Sequence, residues 1–262
     1  MPFRFTFVSA SKSYNACMEI SPLHTYLLAQ LKRAEGLLQQ IHSDRDYENL
    51  HQYRVCMRRI RSLLLVYFKE SDRPEDILKP LLKSTNILRE TDVFVMGVDA
   101  MQYPLLTKEL KKYRKEIYLQ HWSEDTLQVH LKALNRFLED LPTRQQKVPD
   151  AFLSNIALEQ YEEVLVLTKG LSDISSAKKI HKVRIRCKQA RYVLEFIEES
   201  GLRSVGKEIK KCKNIQKHFG DIQDAANQLK FLKHFCKVYG SDECHSLYKE
   251  RKAALKSLKS RL

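Results

Sequence analysis

The run His51-Gln52-Tyr53-Arg54-Val55-Cys56-Met57-Arg58-Arg59-Ile60-Arg61 has a counterpart in the other half of the chain, His181-Lys182-Val183-Arg184-Ile185-Arg186-Cys187-Lys188-Gln189-Ala190-Arg191. Aligning the two histidines brings His51, Arg54, Arg58 and Arg61 into register with His181, Arg184, Lys188 and Arg191. At about 100° of turn per residue these positions share an arc of roughly 80° on one helix face, a cationic stripe roughly 15 Å long. The apolar positions repeat as well: Val55, Met57, Ile60, Leu63, Leu64 and Tyr67 match Ile185, Cys187, Ala190, Val193, Leu194 and Ile197, mostly on the opposite face. Each run therefore reads as an amphipathic helix that packs one side and presents four cations on the other. A stretch of Lys and Arg on a helix is ordinarily a solvated face. Solvation needs charge but not matched spacing, so a repeated row with a histidine at the same phase points beyond it.

The charge of the whole chain agrees with such a row. Lys and Arg number 46 against 32 Asp and Glu among 262 residues, a formal charge of +14 at pH 7. An excess of this kind opposes compactness through self-repulsion and favours polyanionic partners: nucleic acid, anionic lipid or condensed phosphate. Gly and Pro number only seven each, while Leu, Lys, Glu, Ala and Arg are frequent, which favours helix with few turns. The length allows a large core, in one domain or in two halves of similar build. Six cysteines, Cys17, Cys56, Cys187, Cys212, Cys236 and Cys244, form no CxxC pair and no zinc-spaced cluster with histidine. Reduced, buried thiols in a cytoplasmic protein are expected. The N-terminal run through Cys17 has too short an apolar stretch for a signal peptide. No uninterrupted apolar run of about 18 residues occurs, so no membrane span is expected.

Taken in order, residues 1–20, with alternating Phe3, Phe5 and Phe7, read as an extended lead-in. A helix starts at Ser21-Pro22 and runs to about His42 through Leu23, Leu27, Leu31, Leu38 and Ile41. The first basic helix spans about Tyr47 to Lys69, with a break at Ser71-Asp72-Arg73-Pro74. A return helix from Pro74 to about Asp92, a helical segment over 93–102, and helices over about 104–121 and 123–140 complete a first half, residues 21–142. Leu141 to Asp150, which holds Pro142 and Pro149, reads as a linker. The second half, residues 143–262, repeats the order. It has a helix closed by Gly170, the basic twin over about Ser176 to Ser200, a return helix from Leu202 to Phe219 closed by Gly220, and helices over 221–239 and 242–260. The expected class is all-α, a tandem pair of bundles of about four helices each.

HxxRVxxRRxR at 51–61, HxxRIxxKxxRYxLE at 181–195 and QxxFGDIQD at 216–224 together resemble the CHAD domain, a histidine-containing α-helical family, over roughly residues 20–260. The resemblance implies two pseudo-symmetric four-helix bundles that face one another across a basic channel. It also implies binding of inorganic polyphosphate, alone or beside a triphosphate-processing CYTH domain, whose ExExK strand motif this sequence lacks. Two departures stand out. Where the first half of the family usually has Arg-Asp-x-Asp-Val, this chain has Arg89-Glu90-Thr91-Asp92-Val93, and where the first row has Arg58-Arg59 the second has Lys188-Gln189. A channel less symmetric than in relatives is expected.

Polyphosphate carries about one negative charge per internal phosphate and has no base edges to read, so a lined track of cations is what recognises it. Arginine suits the task because its planar fork donates to two oxygens, whereas lysine acts as a point charge. The candidate polyphosphate-binding residues are His51, Arg54, Arg58, Arg61, His181, Arg184, Lys188 and Arg191, with Lys83 and Lys213 added from the return helices at matching register. A nearby polyanion favours protonated imidazole, so binding is expected to strengthen toward pH 6. The alternative for each histidine is a helix cap or a satisfied helix contact. Arg59 and Arg186 lie about 80° and 140° from the histidine phase and fall off the row. Lys249, Lys252, Lys256 and Lys259 read as a solvated face that draws polyanions closer. Gly220-Asp221-Ile222-Gln223-Asp224 admits a magnesium site. The structural expectation is preferred: Gly220 as a helix C′ residue, Asp221 as an N-cap, and Asp224 paired with an arginine of the basic helix, with Asp92 doing likewise in the first half.

Three classes of function follow. The first is a non-enzymatic polyphosphate-binding module that needs no metal or cofactor, cytoplasmic and directed to polyphosphate granules. The second is a nucleic-acid-binding helical protein, which charge favours but for which no helix-turn-helix, zinc finger or RNP-like aromatic motif is present. The third is a metal-assisted phosphohydrolase or phosphotransferase, for which the sequence has neither a GxxxxGK(S/T) loop nor a Ser/His/Asp or Cys/His set.

Overall fold

Ser21 and Pro22 open the first helix as expected: the Ser21 hydroxyl accepts from the His24 N–H at 3.2 Å, and Pro22 takes the first turn, where no N–H is needed. The computed structural model describes residues 21–68, 75–141, 149–171 and 177–259. The lead-in at 1–20, the break at 71–74 and most of the linker lie outside the described residues. Within them the protein is all α-helical, with ten helices: α1 (Pro22–Asp44), α2 (Tyr47–Tyr67), α3 (Glu75–Ser84), α4 (Asn86–Met96), α5 (Pro104–His121), α6 (Glu124–Asp140), α7 (Asp150–Lys169), α8 (Ala177–Glu199), α9 (Gly206–Tyr239) and α10 (Asp242–Lys259). Asp46 caps α2 by accepting from the Glu48 N–H at 2.6 Å. Only Arg45, left-handed at φ 52°, and Asp46 separate α1 from α2, so the two helices fold back and pack along each other.

Several boundaries differ from the sequence reading. The helical segment expected over 93–102 stops at Met96, and the return helix of the second half begins at Gly206 rather than Leu202. The expected return helix of the first half is split at Thr85, between α3 and α4. The expected stop at Gly220 is absent: α9 runs unbroken for 34 residues, and Asp221 caps nothing. A glycine inside a helix costs about 1 kcal/mol relative to alanine, too little to end one when no left-handed turn or proline follows. The stop comes instead at Gly240, whose φ of 59° lets its N–H return to the Cys236 carbonyl at 3.0 Å.

The cysteines also require a correction. Cys56, Cys187 and Cys212 are free and buried as expected, but Cys236 and Cys244 form a disulfide with Cα atoms 5.6 Å apart. The turn at Gly240 brings the end of α9 and the start of α10 within bridging distance, which spacing alone does not reveal.

Both hydrophobic cores draw on both halves of the chain. The larger gathers Leu27, Leu31 and Leu38 of α1, Met57, Ile60 and Leu64 of α2, Phe137 of α6, Leu153 of α7, Val193 and Phe196 of α8, and Cys212 at the start of α9. The smaller joins Phe94 of α4 and Leu106 and Leu110 of α5 to Leu232 and Phe235 of α9 and Leu247 of α10. Each of these side chains contributes about 1.5–3 kcal/mol by leaving water. Around the centre the contacts close a circuit. α2 packs on α8 and on α4, and α8 packs on α9. Further along α9, Phe231 stacks on Phe94 of α4 at 4.5 Å and meets Tyr113 of α5 edge-on at 6.0 Å.

Candidate anion-binding site

Helical phase sets which side chains α2 and α8 turn to each other and which they turn aside. Met57, Ile60, Leu63, Leu64 and Tyr67 are buried on α2, and Cys187, Ala190, Val193, Leu194 and Ile197 on α8. Of the apolar matches only Ile185 stands out in solvent, at 51% exposure. Arg59, off the row by phase, crosses to the other half instead. Its guanidinium meets Glu195 at 3.0 Å and Glu199 at 3.1 Å, and Glu199 also accepts from the Tyr26 hydroxyl at 3.1 Å. This clasp fixes α2 beside α8, and it places the rows.

The two rows then form one electrostatic cluster. Lys188 is half-buried and pushed down to about 8, first by burial and then by Arg184, Arg58 and Arg191, with Asp224 opposing. Arg58 belongs to α2, so cations of both halves press on the same ammonium. Neither Arg58 nor Lys188 has a hydrogen-bond or ion-pair partner among the described residues. His51 is held below the usual imidazole range by burial, then by Arg89, with Glu48 pulling the other way and Arg58 and Arg54 adding to the depression. It is therefore mostly neutral at pH 7. Arg89, on α4, is lowered mainly by burial, with Asp92 and Glu48 opposing and Arg58 adding to the fall.

The other candidates sit differently. Arg54 is buried, 5% exposed, and turned into the α3–α4 corner rather than along the row. It donates to the Leu82 carbonyl at 2.8 Å, the Thr85 hydroxyl and the Asn86 side-chain oxygen at 2.7 Å. Burial lowers it to about 10, which leaves it charged at neutral pH. Arg184 pairs with Asp224 of α9 at 3.3 Å. Arg191 meets Glu195 at 3.7 Å and lies over the Tyr192 ring at 4.7 Å. The Nε–H groups of Arg184 and Arg191 are buried without an acceptor. Arg61 is half-buried, while His181, Lys83 and Lys213 are exposed. Neither lysine is among the charges acting most strongly on His51, Arg89 or Lys188.

Asp224 pairs with an arginine of the basic helix as the sequence suggested, but Asp92 does not. Asp92 is fully buried and accepts from Arg114 of α5 at 2.7 Å and from the Tyr118 hydroxyl at 2.8 Å. Arg114 in turn donates to the Arg45 carbonyl and lies over the Tyr47 and Tyr118 rings. This corner anchors α4 and leaves Arg89, one turn earlier, beside His51 and Arg58. Sequence reasoning missed Arg89 as a site residue although it opens the Arg89-Glu90-Thr91-Asp92-Val93 run. Its side depends on where α4 begins, and that start is the break at Thr85.

One further polar chain resembles catalytic machinery. The buried His130 ring meets the Tyr53 hydroxyl through Nδ1 at 2.8 Å and the Ser84 hydroxyl through Nε2 at 3.0 Å. Ser84 donates its proton to the Leu81 carbonyl at 2.9 Å. Tyr53 then donates to Nδ1, and Nε2–H donates to Ser84, which satisfies every group. In that tautomer the imidazole is no base for the serine, and burial holds it neutral at about 4. The chain binds α6 to α2 and α3.

The CHAD domain family profile matches residues 25–233. Among solved structures, the CHAD domain from the plant Ricinus communis is 19% identical, with a TM-score of 0.69 over 92% of this chain and 91% of that one. PptA from Streptomyces chartreusis is 13% identical, with a TM-score of 0.62 over 91% of this chain and 95% of that one. No curated protein sequence matches.

Proposed function

The chain belongs to the CHAD domain family, and from that premise we propose that it binds inorganic polyphosphate without turning it over, in a cationic channel between α2 and α4 on one side and α8 and α9 on the other. The observation that carries this is Lys188, pressed by Arg184 and Arg191 of its own helix and by Arg58 of the other half. Cations held together against their own repulsion, with Arg58 and Lys188 lacking an ion-pair partner among the described residues, are completed by an anion from outside. A phosphate chain suits them: Arg58 and Arg89 fork to two oxygens each, and Lys188 neutralises a neighbouring phosphate.

Within this reading Arg54 positions the α3–α4 corner, and with it Arg89, rather than touching phosphate. His51 gains its proton as the chain binds, because a polyanion offsets the burial and the cations that keep it neutral. The same grip recruits the protein to polyphosphate granules in the cytoplasm. Binding of labelled polyphosphate, with competition at equal phosphate concentration, tests the proposal. Unlabelled polyphosphate should displace the probe on the order of tenfold more effectively than DNA or RNA, about 1.4 kcal/mol of preference. Equal displacement by nucleic acid would make this a general polyanion site, and release of orthophosphate in the presence of magnesium would make the protein an enzyme.

A further inference from the structure

Resting on the polyphosphate reading, we infer that Asp224 is a built-in competitor for the ligand: its carboxylate occupies the second half's share of the site, and an incoming phosphate chain must displace it from Arg184. The pair is a single contact of 3.3 Å, not a two-pronged one, and the Asp224 side chain is 58% exposed. Such a pair is weak enough to exchange. Room to swing exists as well. One turn earlier on α9 lies Gly220, where even an added Cβ would stand 3.9 Å from the Asp224 carboxylate. Asp224 also acts on Lys188, opposing the cations around it, so one carboxylate bears on two members of the α8 row.

Among the described residues the first half has no such occupant. Asp92, near the corresponding place, is fully buried and spent on Arg114 and Tyr118, and Arg58 keeps no partner among the described residues. A carboxylate tethered on a helix competes at a high effective concentration. Free orthophosphate or a short phosphate therefore competes poorly for Arg184 and Lys188. A chain already held by Arg58 and Arg89 presents its next phosphates as a tethered ligand and competes on equal terms. The second half thus engages after the first, and Asp224 makes the site discriminate by chain length.

Asp224→Asn removes the charge and keeps the shape, at a side chain exposed enough to leave folding intact, which circular dichroism and Tm would verify. Long-chain polyphosphate should bind this variant about fivefold tighter and tripolyphosphate about tenfold tighter, so that the preference for long chains narrows. In an Arg184→Gln background the same change should have less than half that effect on log Kd, because the displaced partner is gone. Unchanged or weaker binding by Asp224→Asn would overturn the inference, since Asp224 would then merely hold Arg184 in place. Magnesium that tightens binding to the native protein but not to Asp224→Asn would also overturn it, by making the carboxylate a ligand for a co-bound cation. If the native protein binds no polyphosphate at low salt, the proposed function itself fails. Native binding with an indifferent Asp224→Asn removes only the competitor.

Discussion

Among the described residues, Arg58 of the α2 row faces only cations, whereas Arg184 and Arg191 of the α8 row each hold a carboxylate. Arg58 has no counter-ion among the described residues and acts on His51, Arg89 and Lys188. On α8, Arg184 is paired with Asp224 and Arg191 with Glu195. The histidines differ in the same sense: His51 is half-buried among cations, while His181 is exposed. Arg54 is locked into the α3–α4 corner by three acceptors, and its counterpart Arg184 holds one exposed carboxylate. Repeated sequence therefore does not mean repeated electrostatics. What each cation can do is decided by the helix opposite it, and α4 and α9 supply different residues.

Four measurements would break or sharpen this contrast. The largest difference is expected between the equivalent arginines. Arg54→Ala should cost about 3 kcal/mol of stability, because a buried charged donor leaves three acceptors behind. Arg184→Ala should cost about 1 kcal/mol, because its one counter-charge, Asp224, stands in solvent. Denaturant midpoints of the two variants decide it, and equal losses would mean that the corner is not specific to the first half. Next comes affinity. Arg58→Ala with Arg89→Ala should weaken polyphosphate binding on the order of 30-fold, and Arg184→Ala with Lys188→Ala on the order of fivefold, from charge-assisted hydrogen bonds lost in full or already shared. The reverse order in a titration would put the dominant grip on α8.

The third is pH dependence. Lys188 is pushed down to about 8 by burial and then by Arg184 and Arg191 of α8 and Arg58 of α2, with Asp224 of α9 opposing them. A bound polyanion raises it, so binding takes up a proton. Affinity should be flat below pH 8 on this account and fall above it, by up to about tenfold per pH unit. Lys188→Arg should abolish that fall, which binding isotherms between pH 7.5 and about 9.5 would detect. The smallest effect concerns the histidines. His51→Ala should remove about threefold of the affinity gained as pH drops toward 6, and His181→Ala almost none. A matching loss in His181→Ala would restore the symmetry that the sequence suggests.

Both basic helices and the exclusion of Arg59 from the row were legible from periodicity, because phase on a helix follows from rotation per residue; the helical class was legible from the scarcity of glycine and proline, and the cap at Ser21 from the proline that follows it. Partners on other helices were not. Arg54 has the phase of the row yet serves the corner, since its direction depends on the break at Thr85, which no proline or glycine announces. Arg89 escaped notice for the same reason. Gly220 looked like punctuation, but the packing of α9 outweighs the modest preference of one glycine. The bridge between Cys236 and Cys244 required the turn at Gly240 to be seen in space. Asp92 and Asp224 occupy similar places in sequence, and Arg114 and Tyr118 of α5, far from either motif, divert one of them from the site.

Because each hydrophobic core is assembled from helices of both halves, neither repeat can melt while the other stays native. Unfolding is expected to be one event rather than two, with a single calorimetric peak. The duplicated segments have become mutually obligate, and that dependence frees each from having to remain a copy of the other. A mutation that spoils one row as a stand-alone binding surface can survive if the shared interior keeps the opposite row within reach.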